Sequence, residues 1–200
     1  MCIFALKKGL HTMTLELNQV LIANEAQTFS LLARTGQLTC LTGGNAERRT
    51  RWLLAMMGFE PVRQGYISID GEPLTTSTTD TFRRLIAYAP KRLESLGEVY
   101  SYEPPTVQDI FLLKANREQP ISNGILGEEM RSIATAATDH SSVRLLAVAS
   151  LLNKPILLVD TPLPAATAYL RQQAAKGKVV IVATNEKELL AESDNIAELT

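Results

Sequence analysis

The chain has 200 residues, of which 46% are hydrophobic and 20% are charged, and its formal net charge is -1. This length is sufficient for one α/β domain with a buried core, and the composition is that of an ordinary globular protein. The nearly balanced charge gives no electrostatic reason to expect nucleic acid or an acidic membrane surface as the main partner.

The first twelve residues are interpreted as an N-terminal extension, with the folded part beginning near Met13. Their two lysines and short apolar segment fit neither the order nor the length of a secretion signal. No apolar run approaches the roughly 18 residues that a membrane-spanning helix needs. Cys2 and Cys40 lack a Cys-x-x-Cys partner, and Cys40 lies in an apolar run, so we expect a buried structural thiol. These features predict a cytoplasmic protein.

Short apolar segments before residue 91 predict strands and one helix. The predicted strands are Leu15–Val20, Phe29–Ala33, Leu38–Leu41, Tyr66–Ile69 and Ile86–Ala89. The helix is predicted over Thr50–Met57 from its apolar spacing, with Gly58 as its C-terminal stop. Asp70-Gly71 and Pro90 are turn signals that end the fourth and fifth strands.

Residues 91–140 are more polar, are interrupted by prolines and predict a mainly helical insert. Its two helix candidates are Val107–Ala115 and Glu128–Ala137. Beyond the insert we predict the helix Val143–Leu152, the strand Ile156–Val159, the helix Ala165–Ala175 stopped by Gly177, the strand Val179–Ala183, and the helix Glu186–Ala191 leading into Ile196–Leu199. Apolar strands without alternation that are separated by helices indicate a parallel sheet covered on both faces.

The segment between the third strand and the following helix has the spacing of a phosphate-binding loop. It consists of Gly43-Gly44-Asn45-Ala46-Glu47-Arg48-Arg49-Thr50. In such loops the backbone N–H groups surround phosphates at a helix start, a Lys adds charge, and a Ser or Thr hydroxyl holds magnesium. Here Arg48 stands in place of the second Gly and Arg49 in place of the Lys. Taken alone, the segment is better interpreted as a polar strand-to-helix connection.

Other segments resemble, in order and approximate spacing, the ATP-binding subunits of ABC transporters. They are Gly36-Gln37, Ile67–Gly71, Arg83–Pro90, Thr106–Ile110, and Ile156–Asp160 ahead of Pro162, which is similar to the Walker B strand. The resemblance runs from about Leu15 to Leu199. It implies a P-loop NTPase-like α/β fold with a mostly parallel sheet flanked by helices, an N-terminal antiparallel β portion and a short helical insert. Residues 13–200 are then expected to form a single domain, with the insert at about 91–140.

Most residues that carry the family's chemistry are replaced in this chain. Lys91 stands in place of the Gln that senses the magnesium site, Thr161 in place of the catalytic Glu, and Asn185 in place of the switch His. Thr161 cannot accept a proton at neutral pH, and Asn185 can hydrogen-bond but cannot carry charge. The resemblance therefore implies weak or absent ATP hydrolysis, and we assign no catalytic residue.

The segments that contact a second subunit or the nucleobase are altered too. Ala137–Ser141 replaces the Leu-Ser-Gly-Gly-Gln signature, and its Asp139 brings negative charge toward the phosphates held by the opposite subunit. No aromatic residue stands near Ala23-Asn24, where the family stacks adenine. Leu163–Ala166 replaces the Ser-Ala-Leu-Asp loop that meets the partner subunit.

The remaining candidates lie in the loop and at the end of the Walker B strand. The candidate nucleotide-binding residues are Gly43, Gly44, Asn45, Ala46, Arg48, Arg49 and Thr50, and the candidate magnesium pair is Thr50 with Asp160. Singly, Thr50 is also explained as a helix cap and Asp160 as a strand-end carboxylate. Arg49 is expected to contact phosphate at a different distance and angle from a Lys, because its guanidinium is a rigid planar fork. Arg48 places a side chain where the ligand needs bare backbone.

Two functions of different classes remain open. The first is an ABC-transporter-type subunit that binds ATP and magnesium weakly and hydrolyses ATP poorly. Its partners are expected to be a second ABC-type ATP-binding subunit, identical or not, and an integral-membrane permease at the inner face of the cell membrane. The second is a pseudoenzyme that binds no nucleotide and has a structural or regulatory role. A competent ATPase is least favoured, since Thr161, Asn185 and Asp139 would each need a substitute.

Overall fold

The computed structural model describes residues 12–92, 123–134 and 140–200. The strands in these ranges are β1 Thr14–Ile22, β2 Phe29–Arg34, β3 Leu38–Thr42, β4 Val62–Ile69, β5 Glu72–Pro73, β6 Ile86–Ala89, β7 Ile156–Asp160, β8 Val179–Ala183 and β9 Asn195–Glu198. The helices are α1 Ala46–Met56, α2 Thr79–Leu85, α3 Asn123–Ile133, α4 His140–Leu151, α5 Thr167–Ala175 and α6 Lys187–Ala191, with a 3-10 turn at Pro164–Ala166.

A five-stranded parallel sheet in the order β6-β7-β8-β3-β9 forms the centre of the fold. Every residue of β7 and β8 is buried, as the continuous apolar segments predicted. Alternate residues of β7 face opposite sides of the sheet. Ile156 and Leu158 pack in a core that includes α1, whereas Leu157 and Val159 pack in a core that includes α4 and α5. The prediction of a parallel sheet covered on both faces is therefore confirmed.

A four-stranded antiparallel sheet in the order β2-β1-β4-β5 contributes to the core on the α1 side. The strands β4 and β5 are joined by Asp70 and Gly71, whose φ angles of 51° and 81° are both positive. A two-residue connection of this kind is the favoured hairpin turn, because its twist matches that of the flanking strands. The predicted turn and the antiparallel β portion near the start of the chain are both present.

Helix α1 begins four residues before the predicted start at Thr50. The side chain of Asn45 accepts a hydrogen bond from the backbone N–H of Arg48 at 2.8 Å, and so caps the first turn. Gly58, with a φ of 76°, follows the last turn as predicted. The earlier start is a correction with consequences for the site, because it places Arg48, Arg49 and Thr50 inside the helix.

Other boundaries also differ from those predicted. Helix α2 and the short strand β5 were not predicted, because no Gly or Pro separates α2 from β6 and β5 has only two residues. Helix α3 begins at Asn123 rather than Glu128, and the predicted helix Ala165–Ala175 is divided into the 3-10 turn and α5. The predicted helix Val107–Ala115 lies outside the described residues.

The structure places Cys40 in the core, as the sequence indicated. Its side chain is fully buried, and burial raises the pKa of the thiol to about 11. A thiol in this state is a weak nucleophile and a poor metal ligand, which agrees with a structural role. Within the described ranges, no helix has both the length and the apolar character needed to cross a lipid bilayer.

Candidate functional site

The candidate site lies where three adjacent parallel strands end. In the order β7-β8-β3, the strands lead into Asp160-Thr161, Thr184-Asn185 and Thr42-Gly43, respectively. Asn185 links two of these ends, because its side-chain oxygen accepts hydrogen bonds from the Thr42 hydroxyl at 2.8 Å and from the Gly43 N–H at 3.1 Å. The carboxyl edge of a parallel sheet is where ligands commonly bind in open α/β folds.

The structure brings together the two candidate metal-facing residues. The Thr50 hydroxyl, in α1, donates a hydrogen bond of 2.7 Å to one carboxylate oxygen of Asp160, at the end of β7. The other carboxylate oxygen accepts from the Thr161 hydroxyl at 2.9 Å. Thr50 and Asp160 are separated by 110 positions in the sequence, so their contact depends on the whole fold.

Asp160 is a buried carboxylate in a site that contains positive charge. Asp160 is only 3% exposed, and this burial raises the pKa of its carboxyl group. The hydroxyls of Thr50 and Thr161 and the charges of Lys91 and Arg49 act in the opposite direction, toward the ionised form. Burial and the nearby Asp160 carboxylate raise the pKa of Tyr88 well above its usual value, so Tyr88 stays protonated.

Arg49 folds into the loop that precedes it. One terminal nitrogen donates to the carbonyl oxygens of Gly43 at 3.1 Å and Gly44 at 2.9 Å. The residue is only 5% exposed, and its Nε has no hydrogen-bond partner among the described residues. Burial lowers the pKa of Arg49, but a guanidinium remains charged in proteins. The interior of the loop therefore holds a positive group bound by the protein's own carbonyls.

Arg48 turns away from the loop interior and pairs with Glu25, which follows β1. The guanidinium contacts both carboxylate oxygens of Glu25, at distances between 2.7 and 3.0 Å, and it also donates to the Thr200 carbonyl at 2.9 Å. A Cβ on Gly44 would lie 2.8 Å from the Arg48 side chain. Arg48 thus covers Gly44 and connects the loop to the segment after β1.

We expect Glu25→Gln to lower the free energy of unfolding by about 1–2 kcal/mol, because the Arg48 guanidinium loses a charged, two-oxygen partner. The Glu25 side chain is 4% exposed and that of Arg48 is 28% exposed, so solvent screens the pair only in part. Glu60→Gln is the matched control, since Glu60 pairs with Arg51 at side-chain exposures of 22% and 25%. Urea unfolding of both variants measures the difference. An equal loss in the two variants contradicts a special role for Glu25.

The Thr50–Asp160 pair fits magnesium by distance but poorly by charge. Neighbouring oxygen ligands of an octahedral magnesium ion lie about 2.9 Å apart, close to the observed 2.7 Å. However, Lys91 and Arg49 already place positive charge near the carboxylate. Among the described residues, no group of three or more His, Cys, Asp or Glu side chains could hold a metal.

The three residues that stand in place of the family's Gln, Glu and His follow the ends of strands. Lys91 is exposed beyond the end of β6, and Thr161 and Asn185 stand after β7 and β8. Residues 137–139 of the segment in the signature position lie outside the described residues.

Sequence analysis missed Glu25 and Tyr88. The ion pair between Arg48 and Glu25 joins residues 23 positions apart, so no periodic pattern in the sequence reveals it. The one weak signal was that the Glu25 carboxylate directly follows Ala23-Asn24, where the family's aromatic residue is missing.

Comparisons with known proteins agree with this geometry. No protein-family model matches the sequence. Over 84 residues the chain is 37% identical to the manganese transport system ATP-binding protein MntB of Listeria innocua, a match that covers 42% of this chain but only 31% of that protein. The chain thus matches about a third of the length of this curated relative.

Solved structures show the same fold over nearly the whole chain. An ATP-binding subunit of an ABC transporter superimposes with a TM-score of 0.68 at 20% identity, covering 92% of this chain and 85% of that one. The cbiO1 protein of Clostridium perfringens, part of the ABC transporter complex cbiONQ, superimposes with a TM-score of 0.60 at 13% identity. This superposition covers 92% of the present chain and 83% of cbiO1. The chain therefore has the fold of the ABC-transporter ATP-binding domains, as the resemblance in its sequence predicted.

Proposed function

We propose that this chain is an ATP-binding subunit of the ABC-transporter type that binds ATP weakly and hydrolyses it poorly or not at all. The observation that carries the proposal is the 2.7 Å contact between Thr50 and Asp160, beside a loop with P-loop spacing. Loop, hydroxyl and carboxylate come from three parts of the chain, and their meeting at one sheet edge supports a nucleotide site. Gly43, Gly44, Asn45, Ala46, Arg48, Arg49 and Thr50 are the proposed nucleotide-binding residues, with Thr50 and Asp160 facing any metal.

Weak binding follows from the groups that already fill the site. A phosphate entering the loop competes for the Arg49 guanidinium with two carbonyl oxygens that already bind one of its terminal nitrogens. The cleft beside the loop has no aromatic side chain on which adenine could stack. Apart from Ala26 it is lined by polar and charged residues: Asn24, Glu25, Asn45, Glu47, Arg48 and Arg51. Both features reduce the affinity expected for ATP.

Poor hydrolysis follows from the residues around Asp160. Attack of water on a phosphate is assisted by a positioned base, and the Thr161 hydroxyl cannot serve as one near neutral pH. That hydroxyl is also committed to Asp160 as a hydrogen-bond donor. Asn185 is held by Thr42 and Gly43, so its amide supports the loop. We therefore propose that ATP acts on this protein as a bound ligand, with little turnover.

The proposed partners are a second ABC-type ATP-binding subunit and an integral-membrane permease. Support comes from the relatives, since one is named as part of a manganese transport system and another as part of an ABC transporter complex. We further propose that residues 13–200 act as one domain at the inner face of the cell membrane. A partner subunit with intact motifs would then supply the turnover that this chain lacks.

Calorimetric titration of ATP in magnesium buffer tests the proposed function. We expect a dissociation constant of about 100 µM, equivalent to about -5.5 kcal/mol, and no phosphate release above background. Arg49→Ala is expected to weaken binding about tenfold, because it removes a charged partner of the phosphates. Arg171→Ala is the control, since Arg171 pairs with Asp194 away from the loop. Unchanged affinity in Arg49→Ala contradicts this placement of the phosphates.

The second candidate is a pseudoenzyme that binds no nucleotide and serves as a structural or regulatory partner. The burial of Arg49 in its own loop favours it, because the cation satisfies the loop without a ligand. In this case ATP produces neither heat nor a shift of the thermal unfolding midpoint. The same titration therefore separates the two candidates.

A further inference from the structure

We propose that Lys91 and Arg49 supply the positive charge that magnesium provides in an ordinary site, so that this chain binds the triphosphate of ATP without a divalent cation. The inference rests on the proposed function and concerns the same site. It follows from the position of Lys91, the hydrogen bonds of Asp160 and the placement of Arg49.

The sheet register places Lys91 beside Asp160. Strands β6 and β7 are parallel neighbours, with Ala89 opposite Val159. Asp160 comes one residue beyond that pair on β7, and Lys91 comes two residues beyond it on the β6 side. Lys91 is exposed, and its charge acts on the Asp160 carboxylate. A long side chain anchored at this point can extend over the carboxyl edge of the sheet, where the phosphates are proposed to bind.

The hydrogen bonds of Asp160 leave it poorly prepared to bind a metal. Both of its oxygens accept from hydroxyls, one from Thr50 and the other from Thr161. Magnesium gives up its water ligands reluctantly and is usually held by one or two carboxylates together with phosphates of the substrate, so in this site the protein's share would fall on Asp160. Within the described residues, no group of three or more His, Cys, Asp or Glu side chains adds protein ligands around Asp160. An ion with two positive charges would also be repelled by Lys91 and Arg49.

The same two cations suit a polyphosphate. An ammonium has three donors and no fixed plane, so Lys91 can bridge Asp160 and a phosphate oxygen. Arg49 lies in the first turn of α1 and its guanidinium reaches the loop carbonyls, at the helix end where the dipole also favours an anion. Arg48 does not add to this charge, because Glu25 neutralises it. The site therefore has a net attraction for an anion before any metal is added.

Titration of ATP into the protein in EDTA, and separately in excess magnesium at equal ionic strength, tests the inference. We expect the two dissociation constants to agree within about threefold. In Lys91→Gln, which restores the amide of the family, affinity in EDTA should fall about tenfold and magnesium should recover it. Lys176→Gln is the control, because Lys176 is an exposed lysine after α5, at the opposite edge of the sheet.

The possible outcomes distinguish this inference from the proposed function. If the unmodified chain binds ATP only in magnesium, the inference is wrong and the proposed function stands. Absence of binding in both buffers removes the proposed function, and the inference with it. Equal binding by Lys91→Gln and the unmodified chain in EDTA also overturns the role of Lys91. Circular dichroism of Lys91→Gln tests whether the variant is folded, which we expect because position 91 is exposed.

Discussion

Trp52→Ala is expected to lower the free energy of unfolding by about 4 kcal/mol, the largest loss that we anticipate from a single substitution in this chain. Trp52 lies in α1 and is fully buried. Its ring contacts Phe29 of β2, with centroids 4.9 Å apart. Truncation removes a large apolar contact between α1 and the antiparallel sheet, and leaves a cavity in the core that includes α1.

Urea unfolding followed by far-ultraviolet circular dichroism measures this effect, because Trp52 is the only tryptophan and fluorescence is lost with it. Tyr66→Ala is the control, since Tyr66 is an aromatic residue of the antiparallel sheet that is 45% exposed. We expect the control to cost less than about 1 kcal/mol. A similar loss in both variants contradicts the burial of Trp52. A reduced slope against urea would indicate a change in compactness rather than simple destabilisation.

The sequence predicted the parallel sheet well, because burial on both faces leaves a direct signal. Strands β7 and β8 are continuous apolar segments, and the whole of each is buried. The Asp70-Gly71 turn was equally clear, since few residues other than Gly, Asn and Asp adopt positive φ without strain. Local chemistry dictates these features, so one sequence is sufficient to find them.

The contacts inside the site were predictable only in part. The meeting of Thr50 and Asp160 followed from motif order, because the carboxyl ends of parallel strands share one edge. The direction of the two arginine side chains did not. Arg49 turns inward to the loop carbonyls and Arg48 turns outward to Glu25, although the two are adjacent. Arg48 finds its partner 23 positions away, and Arg49 finds its partners only five and six positions away. Hydrophobic periodicity contains no information about either choice.

The positions of helix starts were harder to predict than the existence of the helices. Helix α1 was predicted from Thr50, because apolar spacing begins with Trp52 and its first turn is polar. The cap at Asn45 starts the helix earlier and turns Arg49 and Thr50 toward the sheet edge. A search for Asn, Asp, Ser or Thr upstream of the apolar segment would have found this start. The error matters for this site, because the predicted start leaves Arg49 in the loop, whereas the structure places it inside the helix.

Gly43→Ala is the second substitution with a large expected effect, and it tests the loop directly. Gly43 has a φ of 84°, and a Cβ there would lie 2.5 Å from the backbone oxygen of Leu199. Neither atom can move without disturbing the bond from the Leu199 N–H to the Thr42 carbonyl, which is 2.8 Å long. The left-handed backbone costs about 1–2 kcal/mol for alanine. Overpacking against a backbone atom adds about 1–3 kcal/mol. We expect a total loss of about 3 kcal/mol in urea unfolding.

Gly36→Ala is a closely matched control for this prediction. Its φ of 83° is almost the same, but a Cβ at Gly36 meets no atom within 4 Å. The difference between the two variants therefore isolates the steric contact with Leu199 from the backbone strain that both share. Equal losses would mean that β9 moves aside at little cost, and the contact would then not fix the loop. A larger loss for Gly43→Ala, accompanied by weaker ATP binding, would show that the closeness of β9 to the loop maintains the geometry of the site.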